Sequence, residues 1–127
     1  MITIKNYDSN LGLSNYKIGD IYNFYIHNIR NLPKIDINDF EPYIESLTET
    51  IENNKNNEQY LNFTKSIGIV VDIHKSTRPN DIDYITVILQ TSSNDFVINK
   101  YVVNYKPTSF QEKLYKLLST VNWCFCH

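Results

Sequence analysis

Between Phe63 and Tyr105 the chain carries three runs rich in β-branched and aromatic residues, separated by two polar breaks. The runs are Ile67-Gly68-Ile-Val-Val-Asp72-Ile-His74, Ile82-Asp-Tyr84-Ile-Thr-Val-Ile-Leu89 and Phe96-Val-Ile-Asn-Lys100-Tyr-Val-Val-Asn-Tyr105. The breaks are Lys75-Ser-Thr-Arg78-Pro79-Asn-Asp81 and Thr91-Ser-Ser-Asn-Asp95. Short β-rich runs bounded by Pro, Asn, Asp and Ser are strands joined by turns. The pattern predicts an antiparallel meander of three strands, and the rest of the chain has to pack around it.

Alternation along these runs assigns faces. Ile67, Ile69, Val71 and Ile73 share one face of the first strand, with Gly68 and Val70 on the other. A glycine inside a strand marks a bulge or a sharp bend, and sheets that curl into small barrels need such bends. The third run is apolar on both faces. Its aromatic surplus, including Tyr101, is either core or a stacking surface.

Upstream, residues 1–17 predict a short lead-in segment with one edge strand. Residues 18–29 are apolar on both faces and predict a fourth, central strand, ended by Pro33. From Asp36 the period changes. Phe40, Ile44, Leu47 and Ile51 make one helical stripe, with Asp36 or Asp39 as cap and Glu45, Glu49 and Glu52 on the outer face. Residues 53–57 form a polar linker. Downstream, Ser109 and Glu112 fit a capping box, and Phe110, Leu114, Leu117, Leu118 and Val121 predict a second apolar helical face over 109–121. The expected class is α+β and mainly antiparallel β, with two helices. Residues 1–127 form one domain in three parts: 1–17, 18–60 and 61–127.

Composition narrows the function classes. The 127 residues suit one domain with its own core. No apolar run reaches membrane-spanning length, and Met1-Ile-Thr-Ile-Lys5 lacks the pattern of a signal peptide, so an intracellular protein is expected. Two cysteines, Cys124 and Cys126, make no disulfide framework. Net charge is −2; residues 1–60 hold five Lys/Arg against nine Asp/Glu, and residues 61–127 hold seven against five. Strong sequence-independent DNA binding goes with a basic domain. Any nucleic-acid site must therefore be local and rich in stacking, or the partner is a protein.

Strand, strand, strand, helix is also the order of the first four elements of an OB-fold. The segment Gly68-Ile-Val-Val-Asp72, followed by Lys75-Ser-Thr77-Arg78 and Asp83-Tyr84-Ile-Thr-Val-Ile-Leu89, resembles the first OB-fold of protection-of-telomeres proteins and of the telomere end-binding protein α subunit. The resemblance spans roughly 45 residues. It implies a partly closed OB-like barrel, a nuclear protein, and a role in maintaining telomeric or other single-stranded DNA. It marks Lys75, Thr77, Arg78 and Tyr84 as nucleic-acid contacts. The family sets a Gly-Asp-Ile-like strand after the barrel helix, whereas here Ile18-Gly19-Asp20-Ile21 precedes the meander, so either the similarity of that segment is chance or the barrel is assembled in another order.

From spacing alone, Lys100, Tyr101 and Tyr105 extend that platform along the neighbouring strand, because single strands are held by stacking on aromatics with Lys or Arg on the phosphates. Against this stands the plainer reading that Tyr84 and Tyr101 fill the core and that Arg78 pairs with Asp81 or Asp83. Phe110, Leu114, Leu117 and Leu118 are the candidate protein-docking residues. Cys124-x-Cys126-His127 lacks the ligand number and spacing of structural zinc, and Asp72 with His74 reads as a surface contact. No metal, cofactor or catalytic constellation is expected. The protein is expected to act by binding, either to DNA directly or as a small accessory subunit; the alternative is an unrelated α+β protein-interaction module.

Overall fold

The structure, a computed structural model, describes residues 4–56, 64–103 and 123–124. Its centre is a four-stranded antiparallel sheet in the order β1 (Ile21–Tyr25), β2 (Lys65–His74), β3 (Tyr84–Gln90), β4 (Phe96–Val102). A two-residue strand, β5 (Trp123–Cys124), lies parallel to β4 beside Lys100 and Tyr101. One helix, α1 (Glu41–Asn54), packs on the sheet. The class is α+β and the sheet is open. The second expected helix lies outside the described residues.

The meander forms where the β-branched runs are, and its turns form where the polar breaks are. Asn94, at φ 64, sits in the left-handed region that Asn tolerates, and it closes the β3–β4 turn. α1 begins after a 3-10 turn over Ile37–Phe40. Asp36 caps that turn by accepting from the Asn38 backbone N–H at 2.9 Å. Pro42 stands in the first turn of α1, where no N–H is needed. The expected stripe is the packed one: Ile44 and Leu47 are buried, and Phe40 and Ile51 partly so.

Two cores use the two faces of the one sheet. Ile67 and Ile69 of β2, Ile88 of β3 and Phe96 of β4 lie on the outer face beneath α1, with Ile4. Phe24, Val70, Ile85, Val87, Leu89, Val97, Tyr101 and Val103 fill the inner face, with Tyr7, Tyr16 and Leu32. The inner core reports strong curvature. Flat strands spaced by about 4.8 Å would hold β1 and β4 roughly 14 Å apart. Yet the Phe24 and Tyr101 ring centroids are 4.5 Å apart, and the Tyr101 hydroxyl donates to the Tyr25 carbonyl at 3.0 Å. Tyr7 ties the same two strands. Its backbone N–H donates to Asn23 at 2.9 Å, and its hydroxyl donates to the Val102 carbonyl.

Three expectations change. The strand predicted over 18–29 is only five residues long and ends the sheet order instead of lying at its centre; among the described residues its outer edge holds a single bridge, Asn6 to Asn23. Asn28, at φ 51, turns the chain into a 3-10 turn and stops it. The bulge of β2 is not at Gly68 but between Val70 and Asp72. It moves Ile73 to the inner face, opposite Ile85, away from Ile67 and Ile69. Gly68 answers a different need, the close approach of Phe24, Val87 and Leu89.

Asn99 is the odd member of the inner face. It is buried opposite Val87, and neither its amide nitrogen nor its carbonyl oxygen has a hydrogen-bond partner. A buried polar group left unpaired costs about 1–3 kcal/mol. Asn99→Leu, which is close to isosteric, should therefore stabilise the fold by about 1–2 kcal/mol. The midpoint of urea unfolding reads this directly; an unchanged or lowered midpoint would mean that the amide has a partner in the folded protein.

Candidate nucleic-acid interface

The loop from 75 to 83 joins β2 to β3 and is braced by local hydrogen bonds. Arg78-Pro79-Asn80-Asp81 is a tight turn closed by the Asp81 N–H on the Arg78 carbonyl at 3.1 Å. Proline at the second position and Asn at the third suit that geometry. The Asp83 carboxylate accepts the Ser76 N–H at 2.7 Å, and the Val103 N–H donates to the Asp83 carbonyl at 3.1 Å. Ile82 is buried and anchors the loop to the sheet.

At the foot of this loop His74 and Tyr84 face each other as the last pair of the β2–β3 ladder. Their rings stack, with centroids 4.5 Å apart and planes 23° off parallel. The His74 Nε2 lies 2.6 Å from Asp81 Oδ2. From the other neighbour, β4, the Lys100 ammonium lies over the Tyr84 ring at 5.2 Å. Register puts Asp72 opposite Thr86, and Thr86 opposite Lys100, on this same outer face. α1 covers only the other part of that face, over Ile67, Ile69 and Ile88. Within the patch Asp72 and Lys100 are exposed, His74 and Tyr84 are half-buried, and Thr86 is buried. A shallow groove, floored by Ile51 and Ile67 and rimmed by Lys65, Gln90 and Asn94, lies at the opposite end of the sheet.

Among the described residues, the loop and the strand ends beside it carry Lys75, Arg78 and Lys100 and also Asp72, Asp81 and Asp83. The hydrogen bond from His74, above all, holds the Asp81 carboxyl below its ordinary range, against a smaller opposing effect of burial. Burial pushes the Tyr84 phenol up, and the Asp81 and Asp72 carboxylates add to this. Tyr84 is thus a neutral phenol at physiological pH and does not repel an anion.

Of the residues marked in the sequence, Tyr84 and Lys100 meet on the outer face, and Lys75, Thr77 and Arg78 lie on the loop at that end of the sheet. Tyr101 does not. It is one residue on from Lys100, points to the inner face, and is completely buried against Phe24 and Tyr7. It belongs to the core, not to a stacking platform. Tyr105, Phe110, Leu114, Leu117, Leu118, Cys126 and His127 lie outside the described residues. Among the described residues no group of three His, Cys, Asp or Glu side chains is arranged to hold a metal ion. His74 and Asp81 are the members that sequence reasoning missed. The available signal was an aromatic pair bracketing the loop, with His74 closing one strand and Tyr84 opening the next. Asp72 drew attention instead because it is nearer in sequence.

No family model, curated protein or solved structure matches the chain.

Proposed function

We propose that this is a non-enzymatic, OB-like module that binds single-stranded nucleic acid through the His74–Tyr84 end of its sheet, in the maintenance of telomeric or other single-stranded DNA in the nucleus. The observation that carries this reading is the position of the patch. OB-folds bind oligonucleotides on the face of their second and third strands and with the loop joining the first two. If β2, β3 and β4 are taken as those first three strands, the equivalent surface is the outer face of β3 and β4 with loop 75–83. Tyr84 and Lys100 lie on that face, and Lys75, Thr77 and Arg78 belong to that loop. The inward curl, with Phe24 meeting Tyr101 across the sheet, supports an OB-like, partly closed barrel in which β1 takes the free edge of β2.

Bases stack on the aromatic pair, and phosphates meet Lys75, Arg78 and Lys100. With three such cations, the salt slope of single-strand binding should be no steeper than about −2. Fluorescence anisotropy with a labelled G-rich repeat, a scrambled strand and a duplex, at two salt concentrations, tests the reading. The expected result is single-strand binding that Tyr84→Ala weakens by about 1–3 kcal/mol and Arg78→Ala weakens further, with melting temperatures close to that of the parent. The absence of single-strand binding, or binding indifferent to both substitutions, overturns it.

A second reading has its own support in charge. The patch cations are matched by carboxylates, while α1 exposes Glu45, Glu49 and Glu52. In that reading the domain is a small accessory subunit of a single-strand-binding complex, docked on a protein through its acidic helix, and the oligonucleotide experiment is negative.

A further inference from the structure

Lys75, Thr77 and Arg78 are exposed on loop 75–83, and the same loop carries two carboxylates, Asp81 and Asp83. By charge alone, a carboxylate in such a loop weakens its hold on phosphate. Asp81 is engaged with His74, at 2.6 Å. Asp83 is engaged with the loop itself. Its Oδ1 accepts the Ser76 N–H at 2.7 Å, the short separation of a hydrogen bond to a charged acceptor. Asp83 is also held from the far side, because its carbonyl accepts the Val103 N–H, just past β4, at 3.1 Å. The Ser76–Asp83 bond therefore closes the loop, and the Arg78–Asp81 turn lies inside that closure. The pinned amide is the one that joins Lys75 to Ser76, so this bond sets the direction in which the chain leaves β2 toward Thr77 and Arg78.

Resting on the nucleic-acid reading above, we propose that Asp83 is a positioning residue of that site. It touches no nucleotide. It acts through the loop, by holding Lys75, Thr77 and Arg78 in the arrangement in which they meet the strand. A loop that is ordered beforehand does not have to give up its freedom on binding. The assignment has a sign opposite to that of simple charge. Electrostatics alone predicts that removing the carboxylate tightens the binding of a polyanion. Loss of the bond to Ser76 predicts that it weakens.

The test compares Asp83→Ala, which removes the acceptor, with Asp83→Asn, whose Oδ1 still accepts the Ser76 N–H without the charge. On a labelled G-rich single strand, Asp83→Ala should bind about two- to tenfold more weakly than the parent, the cost of reordering a loop side chain. Asp83→Asn should bind as tightly as the parent or more so. In an Arg78→Ala background the Asp83→Ala loss should shrink, because one of the side chains it positions is gone. A second readout needs no nucleic acid. Trypsin cuts after Lys75 only when the Lys75–Ser76 amide leaves Asp83, so mass spectrometry of the folded protein should show faster cleavage there in Asp83→Ala and not in Asp83→Asn. Melting curves check that each variant is folded. Binding by Asp83→Ala as tight as the parent's, an equal loss in Asp83→Asn, costs that add fully with Arg78→Ala, or an unchanged trypsin rate overturns the assignment while the nucleic-acid reading stands. Failure of the parent to bind overturns that reading, and the assignment falls with it.

Discussion

Tyr101→Ala should destabilise the protein by about 3–5 kcal/mol, the range for truncating a large aromatic in a packed core. That corresponds to a fall in melting temperature of roughly 10–20 °C for a domain of this size. The ring is completely buried and touches Phe24 and Tyr7, so its loss removes the side chain that joins β4 to β1 across the curl. Tyr101→Phe separates ring from hydroxyl. It keeps the packing, loses the bond to the Tyr25 carbonyl, and should cost about 1 kcal/mol. Calorimetry of the two variants checks both numbers. A Tyr101→Ala protein that melts near the parent and fails only in oligonucleotide binding would return Tyr101 to the surface platform.

Gly68→Ala should also be destabilising, against the usual direction for this substitution. Where the backbone accepts it, Gly→Ala stabilises by about 0.4–1 kcal/mol through the unfolded chain. At Gly68 an added Cβ would sit 2.6 Å from Val87 Cγ1, 2.7 Å from Leu89 Cδ2 and 2.9 Å from Phe24 Cδ2. All three side chains are fully buried and have no solvent side into which to move. Overpacking of this kind costs about 1–3 kcal/mol. The cause is checked by a double-mutant cycle: Val87→Ala should be less harmful in the Gly68→Ala background than alone, because the space it leaves accepts the new methyl. Additive costs would mean that the clash is relieved elsewhere, by movement of the sheet.

These two residues also mark the limits of what was legible in the sequence. The meander, its two turns and the helical stripe from Phe40 to Ile51 were readable because local periodicity suffices for them. So was the closeness of Tyr84 and Lys100, which neighbouring strands bring together, with Lys75 and Arg78 on the loop that precedes Tyr84. Which face of β4 looks inward was not readable, because both faces are apolar and alternation says only that Lys100 and Tyr101 are opposed. The bulge after Val70 was hidden for a similar reason. In the unbroken apolar run from Ile69 to Val71, a shift of one residue leaves no polar mark until Asp72. β1 was expected to be central because its residues are apolar on both sides. Its burial comes from the sheet's curl and from Tyr7 and Tyr16, contacts set by distant parts of the chain. The partnership of His74 with Asp81 depended on the path of the loop, which spacing does not specify.

The outer edge of β4 has a consequence for the choice of partner. Its backbone groups are taken in turn along its length. The Ile35 N–H and the Pro33 carbonyl bond to Phe96 and Ile98, β5 runs beside Lys100 and Tyr101, and the Tyr7 hydroxyl takes the Val102 carbonyl. A strand so occupied offers no template for β-augmentation, the mode in which a peptide extends a sheet through main-chain hydrogen bonds. Whatever binds this protein along β4 must be read by side chains, and its specificity is therefore open to change one residue at a time.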